Sequence, residues 1–412
     1  MSRKNAFYAQ SGGVTAVINA SACAVIETAR KYPKKIGRVY AGRNGIIGAL
    51  KEDLIDTSKE TRSAIRGLLT TPSGAFGSCR HKLKSLEENR AEYERLIEVF
   101  KAHNIGYFFY NGGGDSADTC LKVSELSKTM GYPLQAIHIP KTIDNDLPHT
   151  DNCPGFGSVA KYVAISTKEA AMDVKSMCET STKVFILEVM GRHAGWIAAA
   201  AELANEDNNT YVHKILIPEV PFNEESFLNG VQKDVEKFGY SVIVASEGLK
   251  NQNGEFYAAS DTKDSFGHNQ LGGLAPKLAN LVSEKLKHKY HWSVSDYLQR
   301  SARHISSETD IKQAISVGKA AANMALENKS GIMPVISRDS NNPYKWSIKE
   351  SELQHIANKE KTVPADFISE DGFRITQKGV EYLRPLIIGE SYPKYQDGVP
   401  VYEQIDLHLA KI

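Results

Sequence analysis

Short apolar runs alternate with longer amphipathic segments almost from the start of this chain, and that rhythm limits the fold more than any other feature. Residues 5–10 read as a strand, 15–31 as a helix and 37–42 as a strand. A helix over 92–103 leads into a strand over 105–110, and a helix over 117–130 leads into a strand over 135–139. Further strands are expected at 183–190, 213–217 and 241–246, with helices near 194–203 and 224–237 between them. Strand, helix, strand in steady alternation predicts doubly wound parallel sheets. In such sheets ligands bind in the loops beyond the carboxyl ends of the strands.

The loops after these strands hold the chemistry. Ser11-Gly12-Gly13 closes the first strand. Glycines let backbone N–H groups approach an anion, and a helix starting near Thr15 adds a favourable dipole. The same turn is also compatible with plain chain reversal. Asn111-Gly112-Gly113-Gly114-Asp115-Ser116 follows another strand, and Asp115 or Ser116 can also cap the next helix. Three glycines in a row are entropically costly unless something approaches the backbone. Pro140-Lys141-Thr142-Ile143-Asp144-Asn145-Asp146 follows a third strand. In an extended loop Asp144 and Asp146 point the same way, so one can serve as general base and the other as metal ligand or orienter; the same residues also suit an Asx-rich turn with solvated acids. Met190-Gly191-Arg192 offers backbone room beside a guanidinium, which suits a phosphate or sugar phosphate. His193 reads as a packed or helix-starting histidine. Glu247, Tyr297 and Arg300 are ambiguous from residue type alone. Glycine loops, a lysine and carboxylates at neighbouring strand ends suit phosphoryl transfer with magnesium, where catalysis is mostly positioning and charge neutralisation.

Bulk properties narrow the classes. The 412 residues are enough for two or three domains, and a net charge of +1 argues against nucleic-acid binding driven by bulk charge. No stretch approaches the ~18 apolar residues of a membrane span. Five dispersed cysteines without a CxxC pair, and no secretory leader, lead us to expect reduced thiols and a cytoplasmic protein. A cluster of proline and glycine places one boundary near 151–157, and a second boundary is expected near 299–308. Residues 337–371 read as polar and irregular, 376–387 as helical, and the stretch from Tyr402 as a closing strand.

Taken in order, these segments resemble the 6-phosphofructokinase family. The resemblance runs through Ser11-Gly12-Gly13, residues 74–80 ending in Arg80, the Gly-Gly-Gly-Asp loop, the 140–146 segment, Pro154-Gly155-Phe156-Gly157-Ser158, Met190-Gly191-Arg192, Glu247 and residues 297–300. It is closer to the pyrophosphate-dependent branch, because ATP-using relatives usually carry glycine at the positions of Asp115 and Lys141. A carboxylate at 115 would repel a nucleotide α-phosphate, and Lys141 would meet the compact charge of pyrophosphate.

The resemblance implies two doubly wound Rossmann-like α/β domains with a C-terminal extension. A donor domain would span 1–155, with a returning segment about 300–340. A fructose 6-phosphate domain would span 156–299, and the extension 341–412. The implied activity is reversible, Mg2+-dependent transfer from pyrophosphate to the 1-hydroxyl of fructose 6-phosphate, without nucleic acid or membrane, by a homodimer or homotetramer. An ATP-dependent 6-phosphofructokinase or a related sugar-phosphate kinase is the alternative. The implied catalytic set is Asp144, as base, with Lys141 and Arg192. Gly13, Arg80, Asp115 and Lys141 would face the donor. Thr142, Asp144, Lys183, Met190, Gly191, Arg192, Glu247, Tyr297 and Arg300 would hold the sugar phosphate, with Lys183 reaching across a subunit interface. Most relatives have an aspartate linked to magnesium where this chain has Gly114, so Asp115 would take that role.

Overall fold

A computed structural model describes residues 3–85, 87–263 and 269–410. The chain divides into two compact units. The first comprises Met1–Gly157, Ser301–Glu360 and Gly389–Ile412, and the second Ser158–Arg300 and Lys361–Ile388. The stretch 341–412 is therefore shared: 341–360 and 389–412 belong to the first unit and 361–388 to the second.

In the first unit the central strands run in the order Gln135–Pro140, Ile105–Gly112, Lys4–Ser11, Ile36–Gly42, all parallel. The short strand Leu54–Asp56 pairs antiparallel at one edge, and the hairpin Ile332–Asn341 and Tyr344–Glu352 closes the other. Alternate residues of the first strand face opposite sides. Phe7 and Ala9 join a core with Tyr93, Phe100, Ala117 and Val123 from the helices Arg90–Ala102 and Gly114–Thr129. Ala6 and Tyr8 join another with Cys23, Ile26, Val317 and Ala321 from the helices Ile18–Arg30 and Glu308–Leu326. Helices on both faces explain why these strands read as continuous apolar runs.

In the second unit the strands Tyr290–Val294, Val184–Val189, Ser241–Ser246 and Lys214–Leu216 form a four-stranded sheet that is parallel throughout. Ile186, Ile243 and Ala245 pack with Phe227, Val231, Leu278 and Val282. Val242 packs with Ala171, Val174 and Cys178. Two carboxylates dock the 361–388 segment. Glu219 accepts from the Val363 N–H at 2.9 Å, and Glu202 pairs with Arg374 and accepts from the Ile375 N–H at 3.1 Å.

Two expectations need correction. Residues 337–371 are not irregular throughout, because the hairpin runs to Glu352. Burial falls along its first strand, the return strand is only partly covered, with Trp346 and Ile348 packed against the core between polar residues, and Asn341-Asn342-Pro343 spans the turn. The stretch after Tyr402 makes one antiparallel bridge, Leu409 to Ile55, rather than a full strand.

Candidate active site

In the first unit, parallel pairing brings three strand ends to one edge, with Gln10 opposite Asn111 and Gly112 opposite Pro140. The loops that follow meet there. The Lys141 N–H donates to Gly112 O at 3.0 Å, and Lys141 Nζ donates to Gly13 O at 2.5 Å. One buried lysine thus links all three loops.

The three glycines have different reasons. A Cβ on Gly112 would lie 2.1 Å from Ser116 Oγ, so that glycine serves packing. On Gly113 the nearest atom would be 3.8 Å away, and on Gly114 nothing lies within 4 Å. The internal fold does not require glycine at the last two, which keep an approach to the backbone open. The helix starts at Gly114, with Gly113 as N-cap and no side-chain cap. Asp115 is therefore in the first turn and is not the cap. After Gly12-Gly13 the helix begins only at Ile18, so its N-terminus is further from those glycines than a start near Thr15 implies.

Asp115 Oδ1 receives Lys82 Nζ at 2.7 Å, a partner the sequence reading did not single out. Arg80 is exposed and follows the short strand Ser78–Cys79, which pairs with the end of Lys4–Ser11. Thr142 Oγ1 accepts from the Asp144 N–H at 3.0 Å and donates to Asp144 Oδ2 at 3.3 Å, orienting a half-buried carboxylate. Asn145 is buried at φ 55°, and its side chain accepts from the Cys153 N–H at 3.0 Å. The chain therefore turns between Asp144 and Asp146, and the extended-loop premise for aiming both carboxylates alike does not hold. The Asx-rich turn, the alternative for this segment, is the conformation that forms.

Magnesium takes one or two protein carboxylates and fills the rest of its shell with water and substrate phosphate. Among the described residues no group of three or more His, Cys, Asp or Glu could hold a metal. A single Asp115 beside the open backbone of Gly114 fits that sparse requirement when a phosphorylated ligand supplies the other oxygens.

The second unit repeats the logic. Val189 lies opposite Ser246, and Val294 opposite Glu188, so Met190–Arg192, Glu247 and the 295–300 segment leave the sheet at one edge. Gly191 has φ 136° and a Cβ there would lie 2.6 Å from Ser246 Oγ, so the position requires glycine. Its N–H donates to Glu247 Oε1 at 3.4 Å, and the Met190 N–H donates to Gln299 Oε1 at 3.3 Å. The Arg300 guanidinium stacks 4.0 Å over the Tyr297 ring. His193 stacks on Phe256, as a packed histidine does. Glu188, buried at the strand end, accepts from the Ala275 N–H at 2.8 Å, and burial pushes its carboxyl above the usual range. Gln299 and Glu188 were missed because their work is to hold backbone, which leaves no motif. Lys183 stands apart: it precedes Val184 at the opposite end of its strand, and its Nζ donates to Cys178 O.

A family model for phosphofructokinase matches residues 5–325. The chain is 63% identical over 402 residues to a pyrophosphate–fructose 6-phosphate 1-phosphotransferase of Methylococcus capsulatus, covering 98% of this chain and 96% of that protein. It is 59% identical to one of Halomonas elongata, covering 100% of this chain and 98% of that protein. The crystal structure of a pyrophosphate-dependent phosphofructokinase from Nitrosospira multiformis is 60% identical, with a TM-score of 0.93 over 99% of this chain and 98% of that one.

Proposed function

The chain belongs to the phosphofructokinase family, and from that premise we infer that it is a pyrophosphate-dependent 6-phosphofructokinase. It reversibly transfers a phosphoryl group from pyrophosphate to the 1-hydroxyl of fructose 6-phosphate, giving fructose 1,6-bisphosphate and phosphate. The single observation that carries the reading at the site is the Lys141 bridge to Gly13, beside the open Gly113-Gly114 backbone. It is a short, cationic cradle for a compact anion, with Asp115 where a nucleotide's α-phosphate would be repelled.

In this reading Gly13, Arg80, Asp115 and Lys141 bind the donor, and Lys141 and Arg192 neutralise charge that builds on the phosphoryl group. Thr142 holds the Asp144 carboxylate, which takes the proton from the sugar hydroxyl. Met190, Gly191, Arg192, Glu247, Tyr297 and Arg300 hold fructose 6-phosphate. Asp115 holds Mg2+ together with donor oxygens, and when bound the ion offsets charge on the phosphates. No described helix is long and apolar enough to cross a membrane, and a cytoplasmic location suits the reaction. The test is formation of fructose 1,6-bisphosphate and phosphate from fructose 6-phosphate and pyrophosphate, and recovery of pyrophosphate in reverse. Failure in both directions would remove the assignment.

We further infer that it works as a homodimer or homotetramer, with Lys183 serving a neighbour's sugar 6-phosphate. Lys183 is seven residues before Met190, or ~23 Å along a strand, too far for the same sugar. The strand Tyr290–Val294 is a sheet edge within its unit, with Trp292 45% exposed and Val294 39%, and Leu298 beyond it is 65% exposed. Such an edge invites pairing with another copy. Mixing inactive Asp144→Ala and Lys183→Ala subunits should restore activity in hybrids. No recovery in hybrids that form would sink the shared site.

A further inference from the structure

Behind the donor loops lies a sealed network of neutral amides that the reaction itself does not use. Asn19, on the first turn of the helix Ile18–Arg30, is its hub and is fully buried. Its Oδ1 accepts from Gln10 Nε2 at 2.9 Å and from the Ala75 N–H at 3.0 Å. Its Nδ2 donates to Thr71 O at 2.9 Å and to Pro72 O at 3.3 Å. Gln10 Nε2 and Asn111 Nδ2 donate to Tyr8 OH at 3.4 and 2.9 Å, and Gln10 Oε1 accepts from the Phe76 N–H at 3.4 Å. Gln10 and Asn111 are each one residue ahead of a donor loop, Ser11-Gly12-Gly13 and Gly112–Gly114. Residues 71–76 run directly into Ser78–Cys79 and Arg80, and Ser78 Oγ donates to Gly12 O at 2.7 Å. Backbone close to Gln10 is also why residue 74 is small: a Cβ on Gly74 would lie 2.9 Å from Gln10 Oε1.

We propose that Asn19 is a positioning residue for the phosphoryl donor, fixing the segment that presents Arg80 against the two glycine loops. An amide is the side chain that both donates to two carbonyls and accepts two N–H groups at one place. Carboxylate at 19 would lose both donors and bury a charge, and leucine would leave the carbonyls of Thr71 and Pro72 unpaired. Being neutral, the amide holds this segment without adding a charge beside the loops. Asn19 touches no substrate in this account. Its effect passes through loop geometry, where a misplacement of about 1 Å can cost ~100-fold in rate.

The proposal rests on the reading of these loops as a pyrophosphate site, and the experiment separates the two. Steady-state constants and amide hydrogen exchange are measured for the wild type, Asn19→Ser, the milder isosteric Gln10→Met, and Ser21→Ala. Ser21 is the control, buried on the same helix and bonded to Ala314 O at 2.9 Å. Asn19→Ser should raise KM for pyrophosphate about tenfold, leave KM for fructose 6-phosphate within about twofold, and speed exchange at Ala75 and Phe76 in a protein that still melts cooperatively. Gln10→Met should move the same readouts less, and Ser21→Ala should move neither KM. If Asn19→Ser does not fold, Gln10→Met alone decides. Unchanged pyrophosphate KM, or equal changes in both KM values, overturns the positioning role. A wild type that does not use pyrophosphate overturns the donor reading instead, while the exchange data still report whether Asn19 holds the segment.

Discussion

The two units solve one problem, holding several loops at one sheet edge, with different chemistry. In the first unit the props behind the loops are neutral: Asn19, Gln10, Asn111 and Tyr8, all fully buried. In the second, carboxylates join the neutral Gln299 that accepts from the Met190 N–H. Glu188 holds the helix Leu274–Leu286, Glu219 holds Gly195 and Val363, and Glu202 holds Arg374 and Ile375. Burial pushes the carboxyls of Glu188 and Glu219 up, because each loses water faster than its N–H donors replace it. The lesson is electrostatic. In the first unit uncharged amides hold the backbone nearest the glycine loops, while the buried ions Asp310 and Arg303 hold Gly155 and Leu69. The second unit tolerates buried carboxylates where backbone N–H groups donate to them.

The largest effect should come from the one acid asked to do chemistry. Asp144→Ala is expected to cut turnover by ~10²–10⁴-fold while fructose 6-phosphate affinity changes far less. Near-normal turnover would remove Asp144 as base. Next, Glu202→Ala should destabilise the protein by about 3 kcal/mol, at the low end for a broken buried pair because the Arg374 side chain still reaches water. Denaturant unfolding checks this, and an unmoved midpoint would mean that the charged props of the second unit carry no load.

Lys141→Gly should weaken pyrophosphate use by ~10–100-fold, the range for one charge-assisted hydrogen bond. Asp115→Gly should also raise the pyrophosphate KM while reducing repulsion toward ATP. An unaltered pyrophosphate KM in both variants would detach these residues from the donor.

The last effect vanishes at neutral pH and emerges only in acid. Burial holds His138 in the first unit and His213 in the second at about 3, well below the ordinary 6.5. Between those values the unfolded chain binds a proton that the native protein refuses. Each histidine's contribution is therefore complete above pH 6.5 and falls as pH drops toward 3. His213→Gln should flatten the stability profile across that window, and an unchanged slope would show that the ring is not held neutral.

Much of this was legible in sequence because strand ends in a doubly wound sheet are chemically conspicuous. The strand Ser241–Ser246 and the loops at Gly112, Lys141 and Gly191 could be placed from apolar runs broken by glycine or proline. What stayed hidden was long-range. Nothing near Asn19 shows that it binds a segment more than fifty residues away, and nothing near Asp115 shows Lys82. The hairpin to Glu352 was missed although Tyr344, Trp346 and Ile348 alternate with Lys345, Ser347 and Lys349, because the polar end of its first strand and the Asn341-Asn342-Pro343 breaker drew the segment toward an irregular reading. The Asp-Asn-Asp run offered the turn at Asn145 as an alternative, but not the side-chain bond to Cys153 that accompanies its left-handed φ.

The central claim is that this cradle, with Asp115 and Lys141 inside it, selects pyrophosphate over a nucleotide. The most direct measurement compares the two as donors, with fructose 6-phosphate and saturating Mg2+. The account predicts turnover with pyrophosphate and none detectable with ATP. Comparable rates with ATP would contradict it.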